Sequence, residues 1–183
     1  MTITVPVEID NIEIKNFTEL EERIFQVSME FGRELLRDIL EINDQLLLAE
    51  RDTERYRNKG LRKTCVKTKL GTVEYSHRAY QDLENTDSGD GRKKTVYLLD
   101  EAIHANMVGK VSEGVCKLAA SSICESSYRA TASQISEQTG QSISAQGVWN
   151  LVQAMGEKLE ERSQRNAELD ESHAGTGNVA TRI

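Results

Sequence analysis

From Thr18 to Glu50 no proline interrupts the chain, and apolar residues return at spacings of three and four. Leu20, Ile24, Val27, Phe31, Leu35, Ile39, Ile42, Leu46 and Ala49 form one continuous stripe, widened by Phe25, Leu36, Leu40 and Leu47. That period belongs to an amphipathic α-helix. Thr18-Glu19-Leu20-Glu21 has the form of a capping box, which predicts Thr18 as N-cap with Glu21 at N3. Gly32 is the one weak point. A helix of about 30–35 residues is roughly 50 Å long. Its stripe outruns the core of a small chain, so it must pack on a second long helix, another protomer or a further domain.

After Glu50 the period changes. Arg51 to Arg62 is a basic exit, with Arg55, Tyr56, Arg57, Lys59 and Gly60. Then Val66, Thr68 and Leu70 alternate with Cys65, Lys67 and Lys69; after Gly71, Val73, Tyr75, His77 and Ala79 alternate with Thr72, Glu74, Ser76, Arg78 and Tyr80. Period two on both sides of a glycine predicts a hairpin. Lys63, Lys67 and Lys69 fall on one face, which suits solvent or phosphate. Asp82 to Lys94 is polar and aperiodic and reads as a loop, and Thr95–Leu99 reads as a third strand that makes the hairpin stable. Ahead of the long helix, Met1 to Asn16 alternates like an edge strand or extended arm.

The remainder is helical. A short helix is predicted over Asp100–Met107. Ser112 caps a helix through Cys124, with Val115, Leu118, Ala119 and Ile123 inward. Ser127–Thr139 comes next, with Tyr128, Ala132 and Ile135 inward and Gly140 closing it. Ser144 caps the last helix, whose apolar face is Val148, Leu151, Val152, Met155 and Leu159. The pattern stops after Arg165. The expected organisation is therefore an arm (1–17), a long amphipathic helix (18–55), a basic hairpin sheet (56–99), a helix-turn-helix-like region (100–165) and a tail (166–183). The fold class is mainly α with a small three-stranded antiparallel sheet.

Composition narrows the function. One proline and 5% aromatic residues in 183 argue against a β-sandwich. No apolar run reaches about 18 residues, and no basic-then-apolar leader opens the chain, so neither a membrane span nor secretion is expected. Cys65, Cys116 and Cys124 form no disulfide framework or zinc knuckle, which points to a reducing cytoplasm. Cys116 and Cys124 read as small core residues. His77, His104 and His173 are isolated, so no metal site is expected. The net charge of −7 argues against nucleic acid until its distribution is read. Thr18–Glu50 holds nine acids and three bases; Arg51–Tyr80 holds nine bases and three acids. The basic island is either an electrostatic footprint or the counterweight of the acidic helix.

Two short helices joined through Gly140, the second one capped, describe a helix-turn-helix. In that motif the N-terminal part of the second helix meets base edges in the major groove. Gln146, Asn150 and Gln153 lie opposite Val148, Leu151, Val152 and Met155. Asn and Gln pair bidentately with adenine. Ser144 and the first-turn N–H groups can hold a phosphate, and Arg129 can reach the backbone from the first helix. The stretch from Gly140 to Ser144 is longer than the usual tight turn. Trp149 abuts the apolar face and is expected in the core or at its rim.

Over about 120 residues the chain resembles the N-terminal part of ISLre-type insertion-sequence transposases, also known as an uncharacterised bacterial protein family. The matching pieces begin with Met29-Glu30-Phe31-Gly32-Arg33, Tyr56-Arg57 and Lys59-Gly60. They continue with Thr68, Gly71, Val73, Arg78, Tyr80, Tyr97-Leu98-Leu99-Asp100-Glu101, Ser127-Tyr128-Arg129, Ser144 and Val148-Trp149. The resemblance implies a region that positions a transposase on the terminal inverted repeats of its element. It also implies that DDE-type acids holding divalent metal belong to a domain beyond the last helix. No catalytic residue and no cofactor is then expected within this chain, which looks like a truncated transposase. The expected DNA contacts are Arg57, Lys59, Arg62, Lys63, Lys67, Lys69, Arg78, Arg129, Ser144, Gln146, Asn150 and Gln153. The expected partners are double-stranded DNA and further copies of the chain. The competing reading is an oligomerisation module without nucleic-acid binding.

Overall fold

The computed structural model describes residues 16–86, 93–103 and 107–175, with side chains described as far as 167. The elements are α1 (Phe17–Glu50), β1 (Tyr56–Thr68), β2 (Gly71–Thr86), β3 (Lys93–Val96), α2 (Leu98–Ile103), α3 (Glu113–Ile123), α4 (Tyr128–Thr139) and α5 (Ala145–Gly175). The three strands form one antiparallel sheet in the order β1-β2-β3. The predicted arm before Asn16, His104, and residues 87–92 of the predicted loop lie outside the described residues, as does the tail beyond Gly175. So does the side chain of His173.

α1 is a single helix of 34 residues. Its cap is Asn16, not Thr18: the Asn16 Oδ1 accepts the Glu19 N–H at 2.8 Å. The helix meets the sheet along one side of its apolar stripe only. Ile24, Phe31, Ile39 and Leu46, along the middle of the stripe, are exposed. Its shoulder makes the contact instead, with Leu36, Leu40 and Leu47 packing toward Val66, Val73, Tyr75 and Leu99. The reason is that α1 covers an edge. Where β3 does not reach, β2 has unpaired N–H groups that would be costly to leave without partners. Glu41 Oε1 accepts the Ser76 N–H and Asp44 Oδ1 accepts the Arg78 N–H, both at 2.8 Å. Arg33 Nη1 donates to the Leu70 carbonyl at 3.0 Å. Gly32 lets the turn approach: a Cβ there would sit 3.2 Å from the Leu70 side chain.

β2 continues through Asp82 to Thr86 instead of ending in a loop. Asp82 is buried and ion-paired to Arg55, and this keeps the strand in the fold. The third strand is shifted from its predicted bounds: it starts at Lys93, inside the predicted loop, and ends at Val96, because Leu98 and Leu99 already belong to α2. The inward face of β2 is as its alternation predicts: Val73, Tyr75, His77 and Ala79 are buried. Tyr80, placed on the outer face by that alternation, is buried as well.

α3, α4 and α5 build a second core from Val115, Cys116, Ala119, Ala132, Ile135, Val148 and Leu151. Ser112 and Ser127 cap α3 and α4, and Gly140 ends α4 at φ 64°, a left-handed conformation that costs glycine little. α5 runs to Gly175, ten residues past the end of its apolar pattern. Cys124 and Leu159 are exposed and do not join the core. No helix among the described residues is long and apolar enough to cross a membrane.

Candidate nucleic-acid interface

β1 is one edge of the sheet. A short stretch of its outer side is paired, with the Lys67 N–H donating to the Lys110 carbonyl and the Ser112 N–H to the Lys67 carbonyl. Arg57, Lys59, Arg62 and Lys63 are exposed along the rest of the strand, and Lys67 is half-buried. Lys69 is exposed in the turn, its stem lying against Gly114 at the start of α3. Among the described residues none of these six pairs with a carboxylate. A single described ion pair, Arg78–Asp44, joins the basic island to the acidic helix. Mutual neutralisation of the two segments therefore leaves most of the island's charge uncompensated.

Arg78 itself leaves the predicted contact set. Its guanidinium is bound to Asp44, which is 1% exposed, at the junction of α1 with β2. Beside that junction a groove is lined by Arg37, Lys63, Lys110, Glu41 and Glu74. Its charges are mixed: Glu41 is engaged by the Ser76 N–H, and Arg37 by Glu34 and Asp38.

The predicted helix pair is present as part of a three-helix unit. Its long turn is pinned by a residue the sequence pattern does not reveal. Gln141 is buried, its Nε2 donates to the Thr68 carbonyl, and the Thr72 hydroxyl donates to its Oε1 at 3.2 Å. The turn between α4 and α5 is thereby attached to the turn of the basic hairpin. At the start of α5, the Ser144 hydroxyl accepts the Gly147 N–H at 3.0 Å, an N-cap. Gln146, Asn150 and Gln153 are exposed, and Gln146 Nε2 donates to Asn150 Oδ1 at 3.0 Å. Val148 and Leu151 are buried behind them. Arg129 is exposed on the first turn of α4. Trp149 is 44% exposed and is not part of the three-helix core, one of the two places, core or rim, where it was expected.

Two further polar clusters have no signature in the sequence. His77 is buried and its Nδ1 lies 2.7 Å from Asp100 Oδ1. Its ring stacks on Tyr97 at 4.6 Å and meets Tyr75 edge-on. Burial, reinforced by Asp100, pushes the Tyr75 hydroxyl up to about 12. Arg55, with help from Asn85 and the N–H groups of Glu84 and Asn85, holds the Asp82 carboxyl well below the usual carboxylate range. Both clusters join elements distant in sequence, and no local pattern announces them. Among the described residues no group of three or more His, Cys, Asp or Glu is placed to hold a metal ion.

Comparison with known proteins agrees in extent with this architecture. The chain is 31% identical over 144 residues to the UPF0236 protein TTE2489 of Caldanaerobacter subterraneus subsp. tengcongensis, covering 78% of this chain and 29% of that protein. It is 30% identical over 144 residues to the UPF0236 protein TTE0610/TTE0881/TTE1053/TTE2432 of the same bacterium, covering 78% of this chain and 28% of that one. The chain thus spans less than a third of the length of these curated relatives. The family model for the Uncharacterised protein family (UPF0236) matches residues 11–176, and the chain belongs to that family.

Proposed function

We propose that this chain is the DNA-binding region of a transposase, and that it positions the protein on the terminal inverted repeats of a mobile element. The observation that carries the reading is the edge strand with Arg57, Lys59, Arg62 and Lys63 exposed and, among the described residues, without carboxylate partners. Such a row neutralises phosphates. Gln141 ties it to the helix pair that supplies Ser144, Gln146, Asn150 and Gln153 for the groove. The reading is also supported by the relatives' names, one of which joins TTE0610, TTE0881, TTE1053 and TTE2432 of one bacterium. Repetition within a genome is what a mobile element leaves behind. In this reading strand transfer, with its divalent metal, belongs to the remaining length of the family's proteins.

The test is the salt dependence of duplex binding. Replacing Arg57, Lys59, Lys63, Lys67 and Lys69 with Ala should weaken binding to every duplex. Each lost phosphate contact should flatten the log–log slope by about 0.9. An unchanged slope removes the strand from the interface, and leaves its cations the role of blocking edge-to-edge sheet pairing. Asn150→Ala should separate base reading from backbone contact, lowering affinity for a selected duplex while sparing random DNA. Equal losses on both would leave α5 on the backbone.

Self-association belongs to the same proposal. The exposed middle of the α1 stripe, Ile24, Phe31, Ile39 and Leu46, is an apolar row of the kind that buries against a second long helix. Ile24→Glu with Ile39→Glu should shift the native mass toward a single chain; a mass that does not move excludes this row as the contact.

A further inference from the structure

We infer that Trp149 is a specificity-determining contact of α5, and that its indole lies against the 5-methyl group of a thymine in the major groove. The inference rests on reading α5 as the helix that enters the groove. Trp149 is the chain's only tryptophan, and 44% of it is exposed. It stands three residues after Gln146, one before Asn150 and four before Gln153, so the four side chains share one face of α5. Val148 and Leu151, both buried, hold the opposite face. From Ala145 to Gly156 the helix carries no charged side chain, so nothing on this face repels phosphate or has to give up a hydrated charge.

The neighbours decide which base the indole meets. The Gln146 amide donates to one lone pair of Asn150 Oδ1, which orients the Asn150 amide and leaves its Nδ2 to donate and the second lone pair of Oδ1 to accept. A carboxamide reads adenine through N6 and N7. An A·T pair displays those two groups and the thymine methyl along the same major-groove edge. A face that recognises adenine through Asn150 therefore brings the adjacent indole to the methyl of that pair or of its neighbour. Contact there removes two apolar surfaces from water.

The experiment uses the whole chain and duplexes selected from a random-sequence pool, with binding read by the anisotropy of a dye on the DNA. The single tryptophan supplies a second signal. On binding, Trp149 emission should change and acrylamide should quench it less. Trp149→Ala should lower affinity for the selected duplex roughly tenfold while melting like the parent, and Trp149→Phe should recover most of the loss. Replacing thymine by deoxyuridine removes only the methyl groups. It should weaken the parent several-fold and leave Trp149→Ala unmoved, as expected of a coupled pair. Binding with unchanged acrylamide access, or a parent insensitive to deoxyuridine, overturns the inference and leaves the DNA-binding reading standing. So does a Trp149→Ala variant that loses self-association while binding duplex normally, since the indole then covers a second copy. If no duplex binds, the DNA-binding reading itself fails and this inference with it.

Discussion

Where α1 meets β2, carboxylates and a guanidinium group are built into the joint beside the leucines; where α4 meets α5, apolar side chains make it. The first region buries Asp44 and Asp82 and satisfies them with Arg78, Arg55 and backbone N–H groups. The second closes on Ala132, Ile135, Val148 and Leu151; the hydroxyls it buries, Thr131 and Thr139, are bonded within or beside α4, and the amides of Gln146, Asn150 and Gln153 stay outside. The difference teaches where unsatisfied recognition groups can be found. A charge consumed inside the fold, like Arg78, has nothing left for a ligand. The polar groups of α5 and the cations of β1 remain outside, and the proposed interface is drawn from these two sets.

The largest expected effect comes from forcing the first kind of chemistry into the second region. Val148 is fully buried in the three-helix core. Val148→Asp places a charge there with no cation to meet it, and should cost on the order of 3–5 kcal/mol. The unit should unfold before the sheet does, seen as loss of helical circular dichroism at a temperature where the parent is intact. A variant that melts like the parent would mean the α4–α5 packing is looser than its burial implies.

The next effect measures how far the two regions are one body. Gln141 bonds the α4–α5 turn to Thr68 and Thr72 of the hairpin. Gln141→Ala removes both bonds inside a buried site and should cost roughly 1–3 kcal/mol. The informative readout is cooperativity. If Gln141 couples the regions, the variant's sheet and helix signals should separate into two transitions on heating. A single transition at a lower temperature would place the coupling in the α3–β1 contacts instead.

The same contrast explains which parts of the fold and site were legible in the sequence. Ser112, Ser127, Ser144 and Gly140 act within one turn of themselves, and their helix ends follow from local hydrogen bonding. The alternation of Val73, Tyr75, His77 and Ala79 is likewise a local signal with one buried face. Gln146, Asn150 and Gln153 could be placed outside because Val148 and Leu151 so plainly belong inside. What the α1 stripe could not reveal is that the helix also caps a strand edge with Glu41 and Asp44, because hydrophobic periodicity carries no sign of such polar contacts. Asp82 misled: a polar run reads as a loop until Arg55, 27 residues earlier, is brought to it. Trp149 was assigned to the core or its rim because it abuts the apolar face and because tryptophan is usually buried. Its neighbours at i−3, i+1 and i+4, all amides, were the available signal that it faces outward.

The smallest effect is a test of the charged region by pH. Asp82 is buried, but Arg55 is about a third exposed, so solvent screens the pair and its net contribution is modest. Arg55, Asn85 and the neighbouring N–H groups depress the Asp82 carboxyl below its ordinary value. A depressed carboxylate stabilises the fold fully above the unfolded pKa, near 3.9 for Asp, and the contribution is lost as pH falls through the folded value. The stability difference between the parent and Asp82→Asn should therefore stay constant from neutral pH down to about 5 and shrink below about 4. Denaturant midpoints across that range measure it. Among the described residues the three-helix core buries no carboxylate, so a helix-only probe should show no matching loss in the parent. A difference between the two proteins that is the same at every pH would mean Asp82 holds the strand end by shape and hydrogen bonding, with its charge contributing nothing.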